Sequence, residues 1–180
     1  NVYVPWYSSL ASRYSVCRLI MDVFKLNVKQ LATKIKDAEL TSVDLCKAYI
    51  DRIKKFEKDI HAWVHFDEKV LIEKAQESDN HRRSGKPLGL LHGIPVALKD
   101  IIGTFDMPTE CGTSLRKGMS ASQDAEIVDL LKTEGAIIMG KTATSELAYY
   151  SPSKTKNPHD YTRTPGGSSS GSAAVVASHM

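Results

Sequence analysis

Residues 164–177 read Thr164-Pro165-Gly166-Gly167-Ser168-Ser169-Ser170-Gly171-Ser172-Ala173-Ala174-Val175-Val176-Ala177. Pro165 fixes φ, and the glycine pair accepts backbone angles closed to other residues, so the stretch opens as a turn. The small apolar run from Ala173 onward reads as a closely packed helix. Between turn and helix lie four serines, three of them consecutive. Unpaired amides at a helix start, together with the helix dipole, favour negative charge there. A Gly/Ser linker stays polar throughout. This stretch runs straight into an apolar helix, which argues against a linker.

A second stretch carries a lysine in an unusual place. From Ile94 to Leu98 the chain is apolar at every position, as in a strand covered on both faces. Lys99 follows directly. A lysine on the continuation of a buried strand must snorkel, pair or lose its proton. The plain alternative is a surface pair with Asp100, worth little to stability.

Two catalytic readings compete for the serine turn. Gly167-Ser168-Ser169-Ser170-Gly171 satisfies the nucleophile elbow G-x-S-x-G, with Ser169 as nucleophile. That motif needs an apolar strand immediately before it, whereas Asn157 to Pro165 has turn and loop chemistry. The second reading takes both stretches together. The run from Pro165 to Ala177, P-G-G-S-S-S-G-S-A-A-V-V-A, and the run from Leu91 to Asp100, L-H-G-I-P-V-A-L-K-D, resemble the amidase signature family.

This resemblance implies an α/β fold, a mixed β-sheet flanked by α-helices, truncated before its later strands. It implies an amidase that hydrolyses the carbon–nitrogen bond of a small-molecule amide, releasing a carboxylate and ammonia or an amine through a Ser-cisSer-Lys triad. No cofactor or metal is implied. By resemblance Lys99 is the base, acting in its neutral form, and Ser168 is the relay serine, held across a cis peptide bond. Ser169, Gly166 and Gly167 support the turn. The nucleophile and the oxyanion amides of the family lie in a further T-x-G-G-S segment beyond Met180. The 180 residues alone are therefore expected to be inactive, as the N-terminal part of a longer enzyme.

The resemblance covers about residues 28 to 180. Residues 1–26 read as an N-terminal extension of unclear structure, with a short apolar stretch from Val16 to Leu26, and 27–180 as the incomplete amidase domain. Asn27 suits a helix cap before an apolar face of Val28, Leu31, Ala32 and Ile35. Thr41 and Asp44 open a second helix bearing Val43, Leu45, Ala48, Tyr49 and Ile53. His61 to Phe66 alternates as a strand, with Ala62, Val64 and Phe66 on one face. A third helix spans Glu68 to Arg83. Residues 103–118 form a loop whose Met107 to Ser114 stretch is similar to a further family segment. Asp124 to Lys132 is an amphipathic helix, and Ala136 to Gly140 a buried strand that returns after it.

Rival motifs are weaker. Gly135 to Thr142 matches G-x-x-x-x-G-K-[ST] letter for letter, which would make Lys141 the lysine of a nucleotide-binding loop. Four apolar residues between its glycines make a strand instead. His61 and His65 have the spacing of a zinc helix but lack its glutamate. Residues 27–85 could also form a non-catalytic helical docking module. In Thr144 to Tyr150, Glu146 and Ala148 keep the family pattern, and Tyr149 and Tyr150 are candidates for a substrate wall.

Composition sets the outer bounds. Hydrophobic residues make up 42% and charged residues 25%, ordinary for a globular chain. A net charge of +3 without a basic block gives no case for nucleic acid. Cys17, Cys46 and Cys111 are widely spaced with no C-x-x-C, which fits a reducing cytoplasm. No apolar run reaches the length of a membrane span.

Overall fold

A computed structural model describes residues 23–180. The expectations that concern residues 1–22, including Cys17 and most of the Val16 to Leu26 stretch, lie outside the described residues. Among the described residues the first whole helices are α1 (Val28–Lys36) and α2 (Ser42–Ile60). Asn27 caps α1 through a reciprocal pair of bonds with Gln30, which satisfies two otherwise orphan amides. Thr41 caps α2 by accepting from the Asp44 N–H. The start of α2 gains a further acceptor from a distant helix. The buried Asp79 carboxylate accepts from Ser42 N at 2.9 Å and Val43 N at 3.1 Å. Asp79 belongs to α3 (Glu68–Arg83), so an electrostatic cap also docks one helix on the other.

Strand β1 (Trp63–Phe66) precedes α3, and β2 (Pro95–Lys99), α4 (Glu126–Thr133) and β3 (Ile137–Thr142) follow. A last helix, α5 (Ser170–Ser178), leaves the serine turn. The sheet order is β1-β3-β2, with β1 antiparallel and β2 parallel to β3. Parallel neighbours need a crossover, and α4 supplies it. The sheet is therefore mixed and flanked by helices.

Both faces of β3 are covered. Ile137 and Met139 pack into a core with Cys46, Ile50, Leu71, Ala174 and Val175, drawn from α2, α3 and α5. Ile138 turns the other way, onto Leu98, Met107 and Val128. Full burial of such a side chain contributes about 1.5–3 kcal/mol. A third cluster, with Leu31, Ile35, Leu45 and Ile94, seats α1 against α2 and the approach to β2.

Several boundaries differ from the sequence expectation, each for a local reason. His61 is not in the strand. It ends α2 in the left-handed region at φ 56, so β1 starts two residues later. Val64 is 48% exposed rather than inward-facing, because β1 is a short edge strand. Helix α4 begins at Glu126, not Asp124. The Asp124 carboxylate is engaged with Phe105 N and the Lys132 ammonium, and leaves Ala125 as the cap. A single 3₁₀ turn, Ser114–Arg116, interrupts the loop at 103–118.

Strand β3 runs two residues further than expected, through Lys141 and Thr142, with all six residues buried. This decides the nucleotide-loop reading. Gly140 and Lys141 lie within a strand rather than in a phosphate-wrapping loop. Gly140 is glycine for packing: a Cβ there would sit 2.4 Å from the His65 carbonyl oxygen of β1.

Candidate active site

Lys99 is the last residue of β2 and pairs in register with Thr142 of β3. The chain beyond it is pinned from below. Asp100 is 1% exposed, and its carboxylate accepts from Glu110 N at 3.2 Å and Gly112 N at 3.4 Å. Burial raises the Asp100 carboxyl above its usual range, and those two amides pull it back. Asp100 is thus committed to its own loop. No surface pair with Lys99 forms.

Lys141 reinforces the same loop. Its ammonium is fully buried and donates to the Ile102 carbonyl and to Thr109 Oγ1, each at 2.7 Å. Burial pushes Lys141 below the ordinary lysine value, and the nearby Asp100 carboxylate partly offsets this. A buried cation with satisfied donors is a structural tie, and this one fastens the loop after β2 onto β3.

The serine turn reaches Lys99 from the far end of the sequence. Gly166 has φ 89, and the Gly167–Ser168 peptide bond is cis. Ser145, just after β3, donates its N–H to the Ser168 carbonyl at 3.0 Å. Gly171 donates to the Ala143 carbonyl at 2.9 Å. These bonds set the turn beside the end of β2, and Lys99 Nζ lies 2.6 Å from Ser168 Oγ. Both residues are half-buried. A half-buried amine at hydrogen-bond distance from a hydroxyl is the arrangement that proton transfer between them requires.

Known proteins share this sequence and fold. A family model described as Amidase matches residues 44–180. The chain belongs to the amidase signature family. It is 40% identical over 166 residues to a glutamyl-tRNA(Gln) amidotransferase subunit of Clostridium acetobutylicum, covering 89% of this chain and 35% of that protein. Among solved structures it superposes on an amidase family protein from Bacillus anthracis with a TM-score of 0.80. The identity is 32%, over 92% of this chain and 35% of that one. The peptide amidase of Stenotrophomonas maltophilia gives 0.78 at 34% identity, over 84% and 34%. The chain therefore spans about a third of the length of the relatives it matches.

The remaining sequence candidates of this amidase signature chain fall around Lys99 and Ser168. Ser169 is exposed and precedes α5 without capping it through its side chain. No strand leads into it, since 157–165 is turns and loop, so the elbow geometry is absent. Tyr149 and Tyr150 are 74% and 83% exposed and stack edge-on with centroids 4.4 Å apart. They follow Leu147 and Ala148, both at positive φ. Ser145 ties them to the serine turn, because its Oγ donates to the Tyr149 carbonyl at 2.9 Å.

Sequence reasoning passed over Ser145, Thr142 and Ser172. Thr142 closes the nucleotide-loop match and Ser172 lies in the glycine-serine run, but neither motif gives them a role, Ser145 matches no motif, and only the fold brings the three to the site. Among the described residues no group of three His, Cys, Asp or Glu side chains is placed to hold a metal. His61 and His65 stand on a helix cap and a strand, not on one helical face. No described helix is long and apolar enough to cross a membrane. Cys46 is buried, and its thiol is pushed up to about 12 by that burial and by Asp79.

Proposed function

We propose that this chain is the N-terminal part of an amidase that breaks the carbon–nitrogen bond of an amide through a Ser-cisSer-Lys triad. The observation that carries the reading is the 2.6 Å approach of Lys99 Nζ to Ser168 Oγ. Lys99 is the base and Ser168 the relay. Gly166 and Gly167 shape the turn, Ser169 supports it, and Tyr149 and Tyr150 line the approach of a small-molecule amide. Acting as the base, Lys99 takes the Ser168 proton while Ser168 takes the proton of a nucleophilic serine. That serine attacks the amide carbonyl to give a tetrahedral adduct. The protons then run back along the same path, and Ser168 delivers one to the departing amine. An acyl-enzyme remains, and water releases the carboxylate by the same proton path in a second cycle.

The nucleophile and its oxyanion donors lie outside these 180 residues, in keeping with the family resemblance. An isolated 1–180 chain then hydrolyses no amide, and a fluorophosphonate labels none of its serines. The named relatives include an amidotransferase and a peptide amidase. Cleavage of an amide C–N bond is the chemistry assigned here, without a choice between their acceptors.

The test compares Ser168→Ala with Ser169→Ala in the full-length protein by steady-state kinetics. Ser168→Ala is expected to lose the more turnover, since Ser168 alone of the two moves protons. An inactive Ser169→Ala beside an active Ser168→Ala would reverse the assignment.

A further inference from the structure

Lys99 and Ser168 stand 69 residues apart, and their 2.6 Å separation depends on how the fold sets β2 and the serine turn against each other. Lys99 has a long, flexible stem, and Ser168 lies in a half-exposed turn. A pair of hydroxyls joins their supports, alongside backbone bonds of the same segment. Thr142 is fully buried and sits beside Lys99 in the parallel ladder. Its Oγ1 donates to the Leu98 carbonyl at 3.2 Å, at the residue immediately before Lys99. The same oxygen lies 2.7 Å from Ser172 Oγ, in the first turn of α5. Thr142 has one hydroxyl proton, and Leu98 can only accept it. Ser172 must therefore donate to Thr142, giving the directed chain Ser172 to Thr142 to Leu98.

The backbone of the same segment grips both partners. Thr142 accepts from Asp100 N at 3.0 Å, Ala143 accepts from Gly171 N, and Ser145 donates to Ser168. The hydroxyl chain is thus the side-chain bridge across a junction whose two sides bear the base and the relay. We propose that Thr142 and Ser172 are positioning residues for amide hydrolysis, setting the distance between Lys99 and Ser168. The proposal rests on the reading of those two as a proton-transfer pair.

Thr142→Val keeps the shape of the side chain and removes both bonds. Ser172→Ala removes the donor from a partly buried helix position. In the full-length enzyme each is expected to lower kcat about tenfold to a hundredfold, the scale of a sub-ångström to 1 Å misplacement, with KM unchanged. Thr142→Ser retains the hydroxyl and should restore kcat. The double variant should lose no more than the worse single one, since either change breaks the same chain. Unchanged kcat in Ser172→Ala, equal losses in Thr142→Val and Thr142→Ser, or additive losses in the double variant would each overturn the proposal. Should Thr142→Val fail to fold, Ser172→Ala alone decides, by whether kcat falls at constant KM. Lys99→Ala, measured alongside, separates the two levels. If it stays active, the catalytic reading fails. If it is inactive while Ser172→Ala is unimpaired, only the positioning role fails.

Discussion

Gly171 sits against Ala143 so closely that a side chain has no room. A Cβ there would lie 2.3 Å from the Ala143 nitrogen and 2.4 Å from the Ala62 carbonyl oxygen, while the Gly171 N–H donates to Ala143 at 2.9 Å. Helix α5 thus starts directly on the sheet, at the corner where β1 and β3 meet, two residues after Ser168. Both obstacles are backbone atoms, which cannot swing aside.

Gly171→Ala in the full-length protein should therefore destabilise by about 1–3 kcal/mol, the usual penalty of overpacking. The urea midpoint is the measurement. Turnover should fall as well, because the helix start that moves carries the serine turn. An unchanged midpoint would mean that α5 does not pack on Ala143 as described.

Lys141 gives a second test of the fold, directed at the nucleotide-loop motif it belongs to. Its ammonium is enclosed by Ile102 and Thr109 and is not open to a phosphate. Lys141→Ala should cost about 2–5 kcal/mol, as for other large-to-small changes in a core, and ATP should show no saturable binding to the wild-type protein. ATP binding that is abolished by Lys141→Ala would restore the rejected motif.

His92 predicts a pH dependence. The ring is buried, its Nε2 lies 3.1 Å from both the Ser78 hydroxyl and the Ser78 carbonyl, and the His81 ring stacks 5.3 Å away. Burial holds its pKa below the ordinary 6.5; the Ser78 carbonyl and Asp79 oppose this, and His81 and Arg82 add to it. The unfolded chain therefore takes up a proton at a higher pH than the folded one. The stabilisation is complete above 6.5 and is lost as pH falls through the lowered folded value. Between about pH 8 and about pH 5 the wild-type unfolding midpoint should drop more than that of His92→Gln. Parallel curves would show that His92 does not contribute to the acid sensitivity.

How much of this was legible in the sequence depends on how local each signal is. Asn27, Thr41 and the Glu68–Arg83 helix were readable because caps and apolar periodicity act within a few residues. Lys99 and Ser168 were found from family-like motifs, and their adjacency needed the fold. The end of β3 is not legible in the sequence, because Lys141 looks like a surface residue until Ile102 and Thr109 are seen around it. The Thr142 to Ser172 bridge left no trace in either local sequence. A pair of hydroxyls 30 residues apart has no pattern to detect until β3 and α5 come together.

The central claim is that Lys99 is the base. Lys99→Ala in the full-length protein, assayed on an amide the wild-type enzyme hydrolyses, should lower kcat by about a hundredfold to ten-thousandfold, the contribution of a positioned general base. The urea midpoint should stay close to that of the wild type, since the Lys99 side chain is bonded to Ser168 and its sheet pairing runs through the backbone, which alanine keeps. A folded Lys99→Ala variant that keeps more than about a tenth of wild-type kcat, well outside that range, would contradict the account.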